Sequence, residues 1–140
     1  MKKCYIKRTV IMMLILAAVM SITLVADASD SDRTDPGYVA NYKVFGSLTT
    51  NARTATGVTQ CDGYCSSISV QVTTTYGEGW EEIYPETASS QHAGTAASAR
   101  TTTSNLTAVV VRAEGRHYAS IDLSSWGPAY TVVVRDLNNL

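Results

Sequence analysis

The chain is predicted to fold as an all-β protein, an antiparallel β-sandwich of about seven strands with a small β-barrel as the alternative. Three observations lead there. Short runs of period-2 alternation recur along residues 38–136, glycine-bearing breaks separate them at roughly 8–14-residue spacing, and no stretch after residue 28 carries the 3.6-residue periodicity of an amphipathic helix. An immunoglobulin domain places its cysteines far apart, across the two sheets. Here Cys61 and Cys65 are close neighbours, so the immunoglobulin-like architecture is an analogy only.

Residues 1–28 read as a secretory signal peptide. Lys2, Lys3, Lys7 and Arg8 form a basic start, Val10 to Val25 is an apolar run of about 16 residues, and Ala26-Asp27-Ala28 supplies the small residues a signal peptidase needs. Cleavage is expected after Ala28. Cys4 precedes the apolar run, where a lipid-anchored cysteine would have to follow it, so no membrane anchor is expected after cleavage. The expected location is secreted, extracellular.

The remaining 112 of the 140 residues suffice for one domain with a modest core. They carry seven basic and eleven acidic side chains, a net charge of −4, with a single lysine and no basic cluster. That balance argues against gripping the phosphates of a nucleic acid.

Residues 29–37 are polar and acidic and end in Pro36-Gly37, which predicts a flexible arm. From Tyr38, the residues Tyr38, Ala40, Tyr42, Val44, Gly46 and Leu48 share one parity and predict a half-buried strand, with Phe45 alone on the other side. Thr49 to Ala52 reads as a turn, and Arg53 to Gln60 as a threonine-rich strand. Cys61-Asp62-Gly63-Tyr64-Cys65 reads as a disulfide-closed hairpin turn with Tyr64 at its tip. Ile68, Val70, Val72, Thr74 and Tyr76 then alternate cleanly with Ser67, Ser69, Gln71, Thr73 and Thr75. One face is apolar; the other is a hydroxyl and amide surface compatible with a sugar, although threonine also simply suits a pleated, half-exposed position.

The stretch from Gly77 to Glu86 sets Trp80 and Tyr84 among four carboxylates. Flat rings stack on the apolar face of a sugar while acids accept its hydroxyl protons. Glycosidase chemistry would need two carboxyls held about 5–5.5 or 6.5–9.5 Å apart, which one acidic loop does not imply. A polar connection from Thr87 to Ala93 leads to a strand from Gly94 to Thr103 whose small side chains suit a sheet edge. Asn105-Leu106-Thr107 is a glycosylation sequon, meaningful in a host that glycosylates secreted proteins. Glu114-Gly115 between two strand-like runs predicts a tight hairpin turn, and Ser124 to Pro128 a further turn carrying Trp126. Residues 129–135 form the last strand, and residues 137–140 are a frayed end.

The side-chain inventory offers no catalytic constellation. There is no Gly-x-Ser-x-Gly elbow, no zinc-ligand spacing, and Cys-x-x-x-Cys between strands is not a redox motif at a helix start. His92 and His117 read as structural. The expectation is therefore a non-enzymatic protein without metal or cofactor. It recognises a glycan or protein at a cell surface through Trp80, Tyr84, Tyr64 and Trp126. The alternatives are a structural or self-assembling extracellular protein, in which threonine-rich edges pair between chains, and a secreted bacteriocin-like or toxin effector.

Overall fold

A computed structural model describes residues 29–79 and 81–135, without the side chains of residues 82–84. The signal-peptide segment, Trp80 and the last five residues lie outside the described residues. The chain is all-β, with strands β1 (Asp30–Arg33), β2 (Gly37–Val39), β3 (Tyr42–Thr50), β4 (Thr54–Glu78), β5 (Glu81–Thr102), β6 (Val109–Ile121) and β7 (Ser124–Val134). All pairings are antiparallel, in the order β1-β3-β4-β6-β7, with β2 on β3 and β5 on β4.

β4 and β5 form one long hairpin folded back on itself. The first half of β4 pairs with β3 and with the end of β5; the second half pairs with β6 and with the beginning of β5. The two halves of β4 face each other across the core. A Cβ placed on Gly57 would fall 2.5 Å from Val72 Cγ2, and Thr59 Oγ1 donates to the Ser69 carbonyl at 2.8 Å. Strands that change sheet at a bend form the corners of a sandwich. That corner is Cys61 to Cys65, where the register against β5 shifts between Gln60 and Cys65.

The opposite side is drawn together by side chains. β1 and β7 end the strand order, yet Asp32 Oδ2 accepts from Val132 N at 2.8 Å and Arg135 Nε donates to Asp30 Oδ2 at 2.9 Å. The sheet is therefore a curled half-barrel, consistent with a sandwich or barrel-like fold.

Between the two layers lie Val39, Val44, Leu48, Ile68, Val70, Val72, Tyr76, Val110 and Val133, filled in by small residues such as Ala55, Ala97 and Ala119. The alternation from Ile68 to Tyr76 points the apolar set inward, as the sequence predicts. Phe45, on the outward parity, lies under the Arg33 guanidinium, 3.7 Å from the ring centroid.

Several local expectations are corrected. Residues 30–33 are not a free arm but strand β1, registered on Ser47 to Thr50. Their acidic groups are used: Asp30 and Asp32 serve the β1–β7 contact. The strand predicted from Tyr38 breaks at Ala40-Asn41, a two-residue turn with Ala40 at φ 50°. Glu114-Gly115 is not a turn, since β6 runs straight through it. A Cβ on Gly115 would meet Thr131 Oγ1 at 2.4 Å and His117 Nε2 at 2.7 Å, so this glycine marks a close approach inside a strand. Ser124 to Pro128 belongs to β7; the turn before it is Asp122-Leu123. The stretch from Thr87 to Ala93 lies within β5, and Glu78 pairs with Glu81 where β4 passes into β5.

Candidate functional site

Of the four expected anchors, Tyr64 and Trp126 have described side chains. Trp80 lies outside the described residues, as does the side chain of Tyr84. Trp126 is half-buried and packs against the core, its indole so close to Gly37 that a Cβ there would stand 2.1 Å from Nε1. Its ring packs over β2 at Gly37. Tyr64 is 69% exposed at the corner, next to Gly63, whose Cα lies under the ring of Tyr42.

Cys61 and Cys65 flank that corner as buried free thiols, not as the ends of a hairpin turn. Burial, reinforced by a hydrogen bond that the Cys65 thiol donates to Cys61 and by the charge of a Cys61 thiolate, pushes the Cys65 thiol up to about 12. A thiol in that setting is a poor nucleophile, because so little of it is thiolate at neutral pH.

The core also holds a histidine. His117 is 0% exposed, wedged between Gly46 and Gly115. Nδ1 lies 2.9 Å from Thr59 Oγ1 and Nε2 lies 2.9 Å from Thr131 Oγ1. Thr59 gives its only hydroxyl hydrogen to the Ser69 carbonyl, so it accepts from the ring, and the network assigns the proton to Nδ1. Nε2 then accepts from Thr131. Both nitrogens are satisfied by the neutral ring, and loss of hydration on burial lowers the imidazole to about 4, against a smaller opposing pull from Asp32. His117 has no open side from which to act on a substrate. It is a structural group, as the sequence predicts.

A groove lies on the other face of the same strands. The polar parity of β4 points outward between β5 and β6, and β7 continues the surface. Register sets Ser89, Gln71, Arg116 and Tyr130 in one row across four strands, with Gln91, Ser69 and Tyr118 in the next. A groove of about 360 Å³ follows these rows, lined by Ser69, Gln71, Ser89, Gln91, Arg116 and Tyr118, with Pro128 at one side. Gly127, at φ 100°, lets β7 approach so closely that a Cβ there would be 2.5 Å from the His117 carbonyl oxygen. The backbone conformation at Gly127 thus sets β7 close against the backbone of His117 and Tyr118, with Pro128 following at the groove.

The groove contains hydroxyls and amides that both donate and accept, one phenol ring, one proline ring and one cation. It contains no acid and no nucleophile activated by a neighbouring base. Gln91 is pre-positioned by donating to Ser67 Oγ at 3.1 Å, and Thr73 and Thr87 are joined across the adjoining row at 3.1 Å. Among the described residues no group of three or more His, Cys, Asp or Glu side chains could hold a metal ion. Sequence reasoning notices the hydroxyl and amide face of β4 but not Arg116, Tyr118 or Pro128, which only strand pairing brings to it. No family model, curated protein or solved structure matches this chain.

Proposed function

We propose that the chain is an extracellular, non-catalytic recognition domain that binds a saccharide at a cell surface in the groove across β5, β4, β6 and β7. The observation that carries the reading is the lining itself. Four serine and glutamine residues, Ser69 and Gln71 on β4 and Ser89 and Gln91 on β5, alternate at strand spacing beside Tyr118 and Pro128. Hydroxyl arrays need partners that donate and accept, and the apolar face of a pyranose needs a ring to lie on. A groove of about 360 Å³ falls at the small end of ligand sites, roughly 300–1,000 Å³. A polyphosphate would call for several cations, and an apolar peptide for an apolar floor. The lining provides neither.

An extracellular location brings the cysteine pair with it. Cys61 and Cys65 are adjacent thiols at a fixed corner, and an oxidising compartment would join them.

The test is a glycan array with the chain lacking residues 1–28, followed by titration of each hit against Gln71→Ala and Tyr118→Ala. Binding weakened about tenfold by either change supports the groove, in line with the usual cost of losing one well-placed polar or aromatic contact. Saccharide binding unaffected by both would move the site elsewhere.

A second reading, self-assembly, has a separate support. β5 pairs only with β4 and leaves a 22-residue edge, rich in threonine, serine and alanine, without a second partner among the described residues. Such an edge is a template for another strand. Sedimentation across a wide concentration range decides it: a monomer throughout would end this reading.

A further inference from the structure

We propose that the groove selects an acidic saccharide and holds the sugar's carboxylate on Arg116. This deepens, and rests on, the reading of the groove as a saccharide site. Arg116 is exposed on β6, with Gln71 beside it on one strand and Tyr130 on the other. No Asp or Glu lines the groove. The acid on the same face of the same strand, Glu114, is engaged by Arg112, whose Nε donates to Glu114 Oε1 at 2.8 Å while a second guanidinium nitrogen also contacts that oxygen. The two other arginines with assigned partners, Arg33 over Phe45 and Arg135 on Asp30, lie at the β1 side of the molecule. Among the described residues Arg116 is therefore a cation without a carboxylate partner, set among neutral hydroxyls and amides, in a protein whose net charge is negative.

A guanidinium presents two parallel N–H donors that match a carboxylate, and a pair of that kind is worth more than a neutral hydrogen bond. The flanking groups fit the rest of such a sugar. Gln71 and Ser89 lie in the Arg116 row and can meet ring hydroxyls, while Tyr118, one row away, offers its ring face. A uronate and a sialate share this chemistry, a carboxylate attached to a hydroxylated pyranose ring. A single cation suits one carboxylate at a time, not a densely charged polyanion.

The experiment is calorimetric titration of the chain lacking residues 1–28 with a galacturonate tetrasaccharide, its methyl ester and sialyllactose, on wild type, Arg116→Gln and Arg116→Lys. The ester keeps every ring and hydroxyl and removes only the charge. The expected result is that one of the two acidic sugars binds at least about tenfold more tightly than its uncharged counterpart, with lactose serving as the counterpart of sialyllactose. Arg116→Gln abolishes that preference, Arg116→Lys retains part of it, and added salt erodes it. Which acid is preferred separates uronate from sialate. Charged and uncharged sugars bound equally, with Arg116→Gln silent, would overturn the role of Arg116 and leave the saccharide site standing. No binding of any of them, together with an empty glycan array, would overturn both.

Discussion

Acidification should cost this protein stability in a defined window, and His117 should be the reason. The ring is fully buried and neutral, its proton on Nδ1 and both nitrogens hydrogen-bonded to threonine hydroxyls. Its folded pKa is about 4, against 6.5 for the exposed group. The unfolded chain therefore takes up the proton first, and between those values it binds more protons than the folded chain. Stability rises with pH across that interval. The contribution is complete above pH 6.5 and is lost as the pH falls towards 4. At about 1.4 kcal/mol per pKa unit, the loss is about 3 kcal/mol, a large share of the roughly 5–15 kcal/mol that holds a domain folded. Urea unfolding at several pH values between 7.5 and 4, on wild type and His117→Asn, measures it. The variant, whose amide can still donate towards Thr59, should be less stable at pH 7.5 and should show a flatter pH dependence; the difference between the two curves removes the carboxylates common to both. Parallel curves would refute the reasoning. So would an imidazole resonance of residue 117 that titrates near pH 6.5 in the folded protein.

Two further outcomes are expected of the core and the corner. The Tyr76 hydroxyl is buried without a hydrogen-bond partner among the described residues, near the Thr101 hydroxyl, which is bonded to Thr74 at 2.6 Å. Tyr76→Phe should therefore leave thermal stability unchanged or raise it by up to about 1 kcal/mol, and a clear loss of melting temperature would mean that the hydroxyl has a partner. The chain lacking residues 1–28, held in an oxidising buffer, should lose the mass of two hydrogens through a Cys61–Cys65 bond, and reducing it should lower stability by only about 2 kcal/mol, since the loop closed is very short. Thiols that remain titratable in that protein after unfolding would rule the bond out.

What the sequence makes legible, and what it hides, follows from the range of each signal. Strand alternation is local, so the inward set from Ile68 to Tyr76 and the outward set from Ser67 to Thr75 are both readable from β4 alone. Glycine is ambiguous. Gly115 gives the same local signal as a turn, but its smallness is demanded by His117 and Thr131, one on its own strand and one on the next. Cys61 to Cys65 is ambiguous in the same way: a reversal is there, but it folds a hairpin across the sandwich instead of joining two strands. Trp126 is a third case, an aromatic flanked by turn residues in the sequence that lies in β7 against Gly37, far away along the chain. The groove is the least legible feature. Its polar floor shows in β4, whereas Arg116 and Tyr118 become its wall only through the β4–β6 register.

That register has one more consequence. Arg116, His117 and Tyr118 are consecutive, so the middle residue of the three is locked between two glycines and two threonines while its neighbours face the groove. The backbone beneath the two groove side chains is thus immobilised by the core, and a ligand meeting them has little ordering left to impose. Affinity in a shallow polar groove is easily consumed by such ordering. If the groove is the proposed saccharide site, loosening His117 should weaken binding through a side chain the ligand never touches.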